Sequence, residues 1–342
     1  MSPYKNCVLC PRKCGVNREA GQKGYCGETA DLRIAFAGIH RGEEPPVTGS
    51  GGSGTIFVSG CNLGCSFCQN YQISQGSHNS SDTVRALGRA VDTAEFAGIC
   101  IKLQELGAEN INIVTGSHAA PALAKGIEAS RKEGLFIPVL WNSSGYEGQE
   151  TLEILSSFVD VYLPDLKTLD AGFSARFFNA PDYPEHAARA ILRMIKCKAI
   201  CFGPGRDPGK SNSACETLIS GVMVRHLVIP GCLKMTRQVL SWFSENCNGK
   251  DHGHADPMEN KEKALLSLMT QFTPVHVRGK ETGILEHYVS ESEYDAVLSM
   301  LDEFGIDNGY CQELVTGSEW LPDFTRPNPF SSDLSIPLWH WR

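Results

Sequence analysis

The run Val58-Ser-Gly-Cys-Asn-Leu-Gly-Cys-Ser-Phe-Cys-Gln-Asn-Tyr71 carries three cysteines, Cys61, Cys65 and Cys68, with three residues between the first pair and two between the second. Thiolates hold iron-sulfur clusters, and a complete [4Fe-4S] set normally takes four of them. Three thiols packed this closely leave one iron without a protein ligand. An open metal position is where chemistry takes place, as in catalytic rather than structural zinc sites. Two plainer readings use the same residues: reduced core cysteines, or three ligands of a zinc site whose fourth lies elsewhere. The strand-like Thr55-Ile-Phe-Val-Ser that feeds the loop, and the glycines Gly60 and Gly64 within it, favour the cluster.

Outward from this loop, strand and helix patterns alternate, which argues for successive β-α units and a parallel sheet. Val84, Leu87 and Val91, then Ile99, Leu103 and Leu106, recur at helical spacing. Strands are expected at 111–115, 137–141, 161–163, 224–229 and 274–277, with helices at 122–132, 152–159, 187–195 and 233–245 between them. About six repeats result, an α/β chain whose function belongs at the carboxyl ends of the strands. The stretches 202–213 and 247–257 interrupt the pattern and read as exposed loops. His252 and His254 in the second could bind metal, although a solvated loop explains them as well.

Residues 1–50 are rich in Cys, Gly and Pro and read as a loop-rich module that needs a staple. Cys7, Cys10, Cys14 and Cys26 can supply it, since four thiols close either a [4Fe-4S] cluster or a structural zinc site. Gly21, Gly24 and Gly27 permit the turns this demands. The alternative is incidental cysteines in a flexible tail.

A chain of 342 residues with 42% apolar content can bury a substantial core. Its 14 cysteines, about 4% of the chain, fall below disulfide-scaffold density, so metal sites are the better account. The start of the chain has no apolar h-region, and no run approaches the ~18 apolar residues of a membrane span. The expectation is a cytoplasmic protein with no membrane partner. A net charge of -8 without a basic cluster argues against nucleic acid as a partner.

The cysteine run resembles the signature of radical S-adenosylmethionine (SAM) enzymes, in which SAM chelates the open iron of the [4Fe-4S] cluster. Cys-Val-Leu-Cys-Pro-Arg-Lys-Cys at 7–14, Arg41-Gly-Glu-Glu-Pro-Pro46, Gly52-Ser-Gly-Thr-Ile-Phe57, Val224-Arg-His-Leu-Val-Ile-Pro-Gly231 and Gly309-Tyr-Cys-Gln-Glu313 look like a narrower group within it. These are the iron-sulfur proteins homologous to pyruvate-formate-lyase activating enzymes. The resemblance implies a partial (β/α)6 barrel over 51–285, preceded by the cysteine-rich module at 1–50 and followed by a helical and loop extension at 286–342. It implies reductive cleavage of SAM and abstraction of hydrogen from a substrate, and a reductant protein such as flavodoxin or ferredoxin. The substrate is a glycyl radical enzyme in the activases, and otherwise a small molecule, peptide or protein. A non-catalytic iron-sulfur electron carrier is the competing class.

The strand ends supply the candidate cofactor contacts. Asn70 follows the cysteines directly. Thr115-Gly-Ser-His stands where the activases carry Gly-Gly-Glu-Pro, so the backbone of Thr115 and Gly116 or the Ser117 hydroxyl would replace the missing carboxylate, unless Ser117 is a helix cap. Asn142 and Ser144 follow the next strand. Asp165 and Lys167, two residues apart on one face of an extended segment, resemble the Asp-x-Lys pair that contacts SAM in the activases. Of Arg225 and His226, adjacent in an apolar run, one is expected to face a ligand, and His226 is the choice. No catalytic side chain is assigned.

Overall fold

The computed structural model describes residues 2–75, 86–206, 216–249, 263–275, 286–318 and 320–342. Strands are β1 (Arg33–His40), β2 (Ser53–Val58), β3 (Arg89–Ala90), β4 (Ile111–Val114), β5 (Val139–Ser143), β6 (Val161–Pro164), β7 (Cys201–Pro204), β8 (Glu216–Leu227), β9 (Leu265–Met269), β10 (Gly309–Cys311) and β11 (Ser335–His340). The helices are α1 (Pro45–Thr48), α2 (Tyr71–Ser74), α3 (Thr93–Glu105), α4 (Ala120–Lys132), α5 (Gln149–Leu155), α6 (Ala171–Phe178), α7 (Tyr183–Cys197), α8 (Leu233–Cys247) and α9 (Glu291–Glu303).

Every residue of β2, β4 and β6 is buried, because each strand has a helix on one side and the sheet's own concavity on the other. β2, β4, β5, β6, β8 and β9 lie side by side in chain order, all parallel. A strand order that never reverses sends each crossover to the same face, and the sheet winds in one direction. Its curvature shows in the packing: Leu140, Val161, Met223 and Leu265, from four successive strands, converge on Val47 of α1. The sheet ends at β10 on one side and at the antiparallel β1 and β11 on the other, an open barrel rather than a closed one.

Side-chain alternation then decides what faces inward. Val139 and Trp141 join the helix-side core while Leu140 points inside. Asp92 caps α3 by accepting from the Glu95 amide at 2.8 Å, and Ser290 with Glu293 forms a capping box on α9.

Four expectations change. β1 lies within the segment read as loop-rich and runs along β2, with all eight of its residues buried. The sixth parallel strand is Leu265–Met269, not 274–277: residues 274–275 are irregular, and 276–277 lie outside the described residues. The segment at 202–213 opens with β7, which pairs antiparallel to the first half of the twelve-residue β8. Leu87 and Val91 flank the short β3 instead of sharing a helix. Val84, His252 and His254 lie outside the described residues.

Candidate functional site

The cysteine loop leaves the carboxyl end of β2 through Gly60, whose φ of +84° suits glycine alone. Cys61, Cys65 and Cys68 form no disulfide. The Cys61 sulfur accepts from the Leu63 amide at 3.3 Å, and the Cys68 sulfur lies 3.2 Å from the Ser74 hydroxyl. Burial, reinforced by the adjacent Cys65 and Cys68, pushes the Cys61 thiol far above its ordinary value. Among the described residues no three His, Cys, Asp or Glu side chains converge on one point at metal-ligand distance. The donor set nevertheless fits a cluster: three sulfurs, buried or half-buried and close enough to repel one another as thiolates, are stable together as anions only around a cation.

Next to them is a cavity of about 230 Å³ whose wall includes Cys65, Cys68, Asn70, Asn142, Asp165 and Lys167. These come from the loop after β2 and from the ends of β5 and β6, the same end of the barrel. The Lys167 ammonium donates to Asp165 at 2.5 Å. Burial alone would discharge Lys167, but the Asp165 carboxylate overrides it and holds the ammonium charged. Both carbonyls that flank this turn, those of Ser144 and Asp165, accept from the Tyr183 hydroxyl, at 3.0 and 2.9 Å.

Other candidates are placed differently. Thr115 holds a left-handed φ of +63° and its amide donates to the Asn142 carbonyl at 2.9 Å. Ser117 is buried, with its hydroxyl donating to Glu147 at 2.9 Å, so it is spent on an internal contact. Gly116 packs on the Trp141 ring, where a Cβ would come within 2.6 Å. Ser144 reaches only to Asn62, at 3.5 Å.

The choice between Arg225 and His226 reverses. His226 points to the helix side, with one ring nitrogen on the Leu166 carbonyl at 2.8 Å and the other on the Thr236 hydroxyl at 3.1 Å. Burial lowers its pKa to about 4, leaving it neutral. Arg225, one residue earlier and so on the opposite face, lines the cavity. Its guanidinium meets Glu43 at 2.6 Å and also Glu44. Sequence reading did not assign either glutamate, although both lie in the quoted Arg41-Gly-Glu-Glu-Pro-Pro46 run.

A family model described as the radical SAM superfamily matches residues 55–203. This segment belongs to the radical SAM superfamily. The match begins in β2, contains the whole cysteine loop and extends past Asp165 and Lys167, so the radical SAM segment supplies half of the cavity wall. Members of that superfamily use a [4Fe-4S] cluster and SAM, cleave SAM reductively and generally need a reductant. Of curated proteins, MJ0674 of Methanocaldococcus jannaschii, described as uncharacterized, is 27% identical over 305 residues, covering 89% of this chain and 76% of that protein. Similar solved structures include SuiB of Streptococcus suis bound to S-adenosylmethionine, with 12% identity and a TM-score of 0.44 over 74% of this chain and 48% of SuiB. Methylornithine synthase PylB shows 14% identity and a TM-score of 0.46 over 81% of this chain and 71% of PylB. The chain spans about half the length of SuiB.

The cysteine-rich N-terminus packs directly on the radical SAM segment. Cys7, Cys10, Cys14 and Cys26 are free thiols. A Cβ on Gly24 would lie 3.4 Å from the Cys14 sulfur and 3.8 Å from that of Cys26, which places both sulfurs around one turn. Burial pushes the Cys10 thiol up to about 12, with Cys26, Cys14 and Cys7 adding to the effect. Cys26 rises to about 11 by burial in spite of the nearby Arg18. Arg18, 1% exposed, lies 4.0 Å from the Cys7 sulfur and donates to the carbonyls of Glu28, Thr29 and His118. Four sulfurs, with Cys7 and Cys26 beside the buried Arg18, are a donor set that fits an anionic thiolate centre.

Two arginines were missed as docking residues. Arg12 donates to the Asn62 carbonyl at 3.0 Å and to those of Phe178 and Asn179, and stacks 3.8 Å over Tyr25. Arg18 ties the module to the loop after β4 through His118. No helix among the described residues is long and apolar enough to cross a membrane.

Proposed function

We propose that this chain is a radical SAM enzyme in which Cys61, Cys65 and Cys68 hold the [4Fe-4S] cluster and the cavity beside them seats SAM. The observation that carries the reading is the convergence of Cys65, Cys68, Asn142, Asp165 and Lys167, from three different strand ends, on one cavity. When bound, the cluster and SAM supply reductive cleavage and hydrogen-atom abstraction. The chain's own residues position them. Asp165 fixes the Lys167 ammonium at the cavity wall, where it can meet a carboxylate or a ribose oxygen. Asn70 and Asn142 offer amide donors and acceptors. Phe57, Phe67 and Leu227 in the same wall exclude water from reactive intermediates.

Cys7, Cys10, Cys14 and Cys26 form a second, closed centre in this reading, a cluster or zinc, within a module at 1–50 that precedes the radical SAM core. The SAM cavity shares Glu43, Arg225, Gln271 and Trp320 with a larger one of about 710 Å³, room for a peptide loop or a small molecule. Activation of a glycyl radical enzyme would use that space for the partner's glycine loop; modification of a small molecule, peptide or other protein would use it for the substrate itself. A flavodoxin or ferredoxin would supply electrons, and the reduced thiols suit the cytoplasm.

The test is anaerobic reconstitution with iron and sulfide, then reduction in the presence of SAM. The expected result is release of methionine and 5'-deoxyadenosine by the wild type and by no variant with Cys61, Cys65 and Cys68 all replaced by Ala. SAM cleavage by the triple variant would refute the assignment.

A further inference from the structure

Arg225 is bonded in the sheet next to Asp165, so the cluster of charges around it borders the SAM seat. One guanidinium, 5% exposed, faces two carboxylates, those of Glu43 and Glu44. The Asp165–Lys167 pair is neutral in itself, and Arg41 and Glu313 offset each other at the wider end of the cavity. One buried carboxylate is therefore left in excess, which is costly without a counter-charge.

The hydrogen-bonding groups lean the same way. His40 is 7% exposed and lines the cavity, and its Nδ1 has no partner. Burial keeps the ring neutral, and in a neutral ring the unpartnered Nδ1 can carry the lone pair and accept an N–H. Asn112, fully buried behind the cavity wall, gives its amide to Glu43 at 2.9 Å and so holds that carboxylate in place. Among the described residues, the unpartnered buried donor at this site is the Nε–H of Arg225. Trp320 adds an aromatic wall, packed on Gly42 so closely that a Cβ there would come within 2.6 Å of its ring.

We propose that this part of the barrel binds its substrate through a cationic, multi-donor nitrogen group, an ammonium or guanidinium, received by Glu43, Glu44 and His40. The proposal rests on the radical SAM reading above and adds the substrate class. The carboxylates neutralise the cation, the acceptors take its N–H groups, and Trp320 offers a ring face to it. An anionic substrate would instead add a third negative charge around Arg225.

Agmatine, which carries an ammonium and a guanidinium, is the probe; butyrate and butanol are its anionic and neutral controls. Each is titrated calorimetrically into the anaerobically reconstituted protein with SAM bound, and SAM cleavage is assayed on the same samples. Agmatine should bind, the controls should not, and Glu44→Gln should weaken agmatine by about tenfold or more while iron content stays that of the wild type. Butyrate binding as tightly as agmatine, or no agmatine heat at tens of millimolar, overturns the proposal. Should Glu44→Gln fail to fold, the comparison of the three probes on the wild type decides alone. Absence of SAM cleavage by the wild type would fault the radical SAM reading instead, so the two failures are distinguishable.

Discussion

Gly60→Ala should loosen the joint between the two groups of cysteines. Gly60 is buried at φ +84°, one residue before Cys61. An added Cβ would lie 2.6 Å from Glu28 Cγ, 2.8 Å from the Cys26 carbonyl oxygen and 3.2 Å from His118 Nε2. The left-handed conformation alone costs a non-glycine residue roughly 1–2 kcal/mol. Overpacking adds roughly 1–3 kcal/mol, toward the upper part because the Cys26 oxygen is backbone and Glu28 is held by Arg33 at 2.8 Å. The sum, roughly 2–5 kcal/mol, corresponds to a fall of roughly 3–7 °C in melting temperature for a chain of this size. Thermal unfolding of anaerobically purified protein measures it, and iron and zinc per chain show whether bound metal is lost. Gly98→Ala is the control: it lies in α3 with nothing within 4 Å of its added Cβ, so helix propensity should leave it neutral or slightly stabilised. If Gly60→Ala melted with the wild type, the backbone would have yielded freely, and the contact between Cys26 and the cysteine loop would not be the rigid joint described.

Asp165→Ala should keep the iron content and weaken SAM binding by about 1–3 kcal/mol, since it leaves the Lys167 ammonium without its partner; calorimetric titration with SAM reads this, and loss of iron at unchanged SAM affinity would contradict it. Arg12→Ala should free the N-terminal module, seen as faster amide exchange over residues 2–30, and Arg12→Lys should not restore protection because a point charge cannot bridge the carbonyls of Asn62, Phe178 and Asn179. His118 and His226 are buried neutral, burial lowering their pKa values to about 3 and about 4. Their stabilisation is present above the unfolded value near 6.5 and is lost as pH falls toward the folded values, about 1.4 kcal/mol per pH unit for each. Urea midpoints between pH 7 and 4 should therefore fall less steeply in His226→Gln than in the wild type.

The sequence by itself determined the parts that depend on local pattern. The number and spacing of Cys61, Cys65 and Cys68 set the donor chemistry, and alternating β and α periodicities set a parallel sheet with its strand ends on one side. Asp165 and Lys167 share a face because an extended chain repeats every two residues, and that relation survives whatever packs around them. Tertiary structure decided phase and partners. The pair Arg225 and His226 places one polar group on each face of β8, and only the neighbouring strands, with Asp165 and Asn142 inside, fix which face is the cavity. Ser117 had a plausible hydroxyl, but Glu147, from a loop thirty residues away, claimed it. Glu43 and Glu44 lie some 180 residues from Arg225 and meet it because the barrel curves back on α1. The strand at 265–269 prevailed over the one expected at 274–277 because β8 and β10 were there to pair with it on either side. A periodicity is written in a few consecutive side chains; a contact across a barrel exists only once the chain has closed around it.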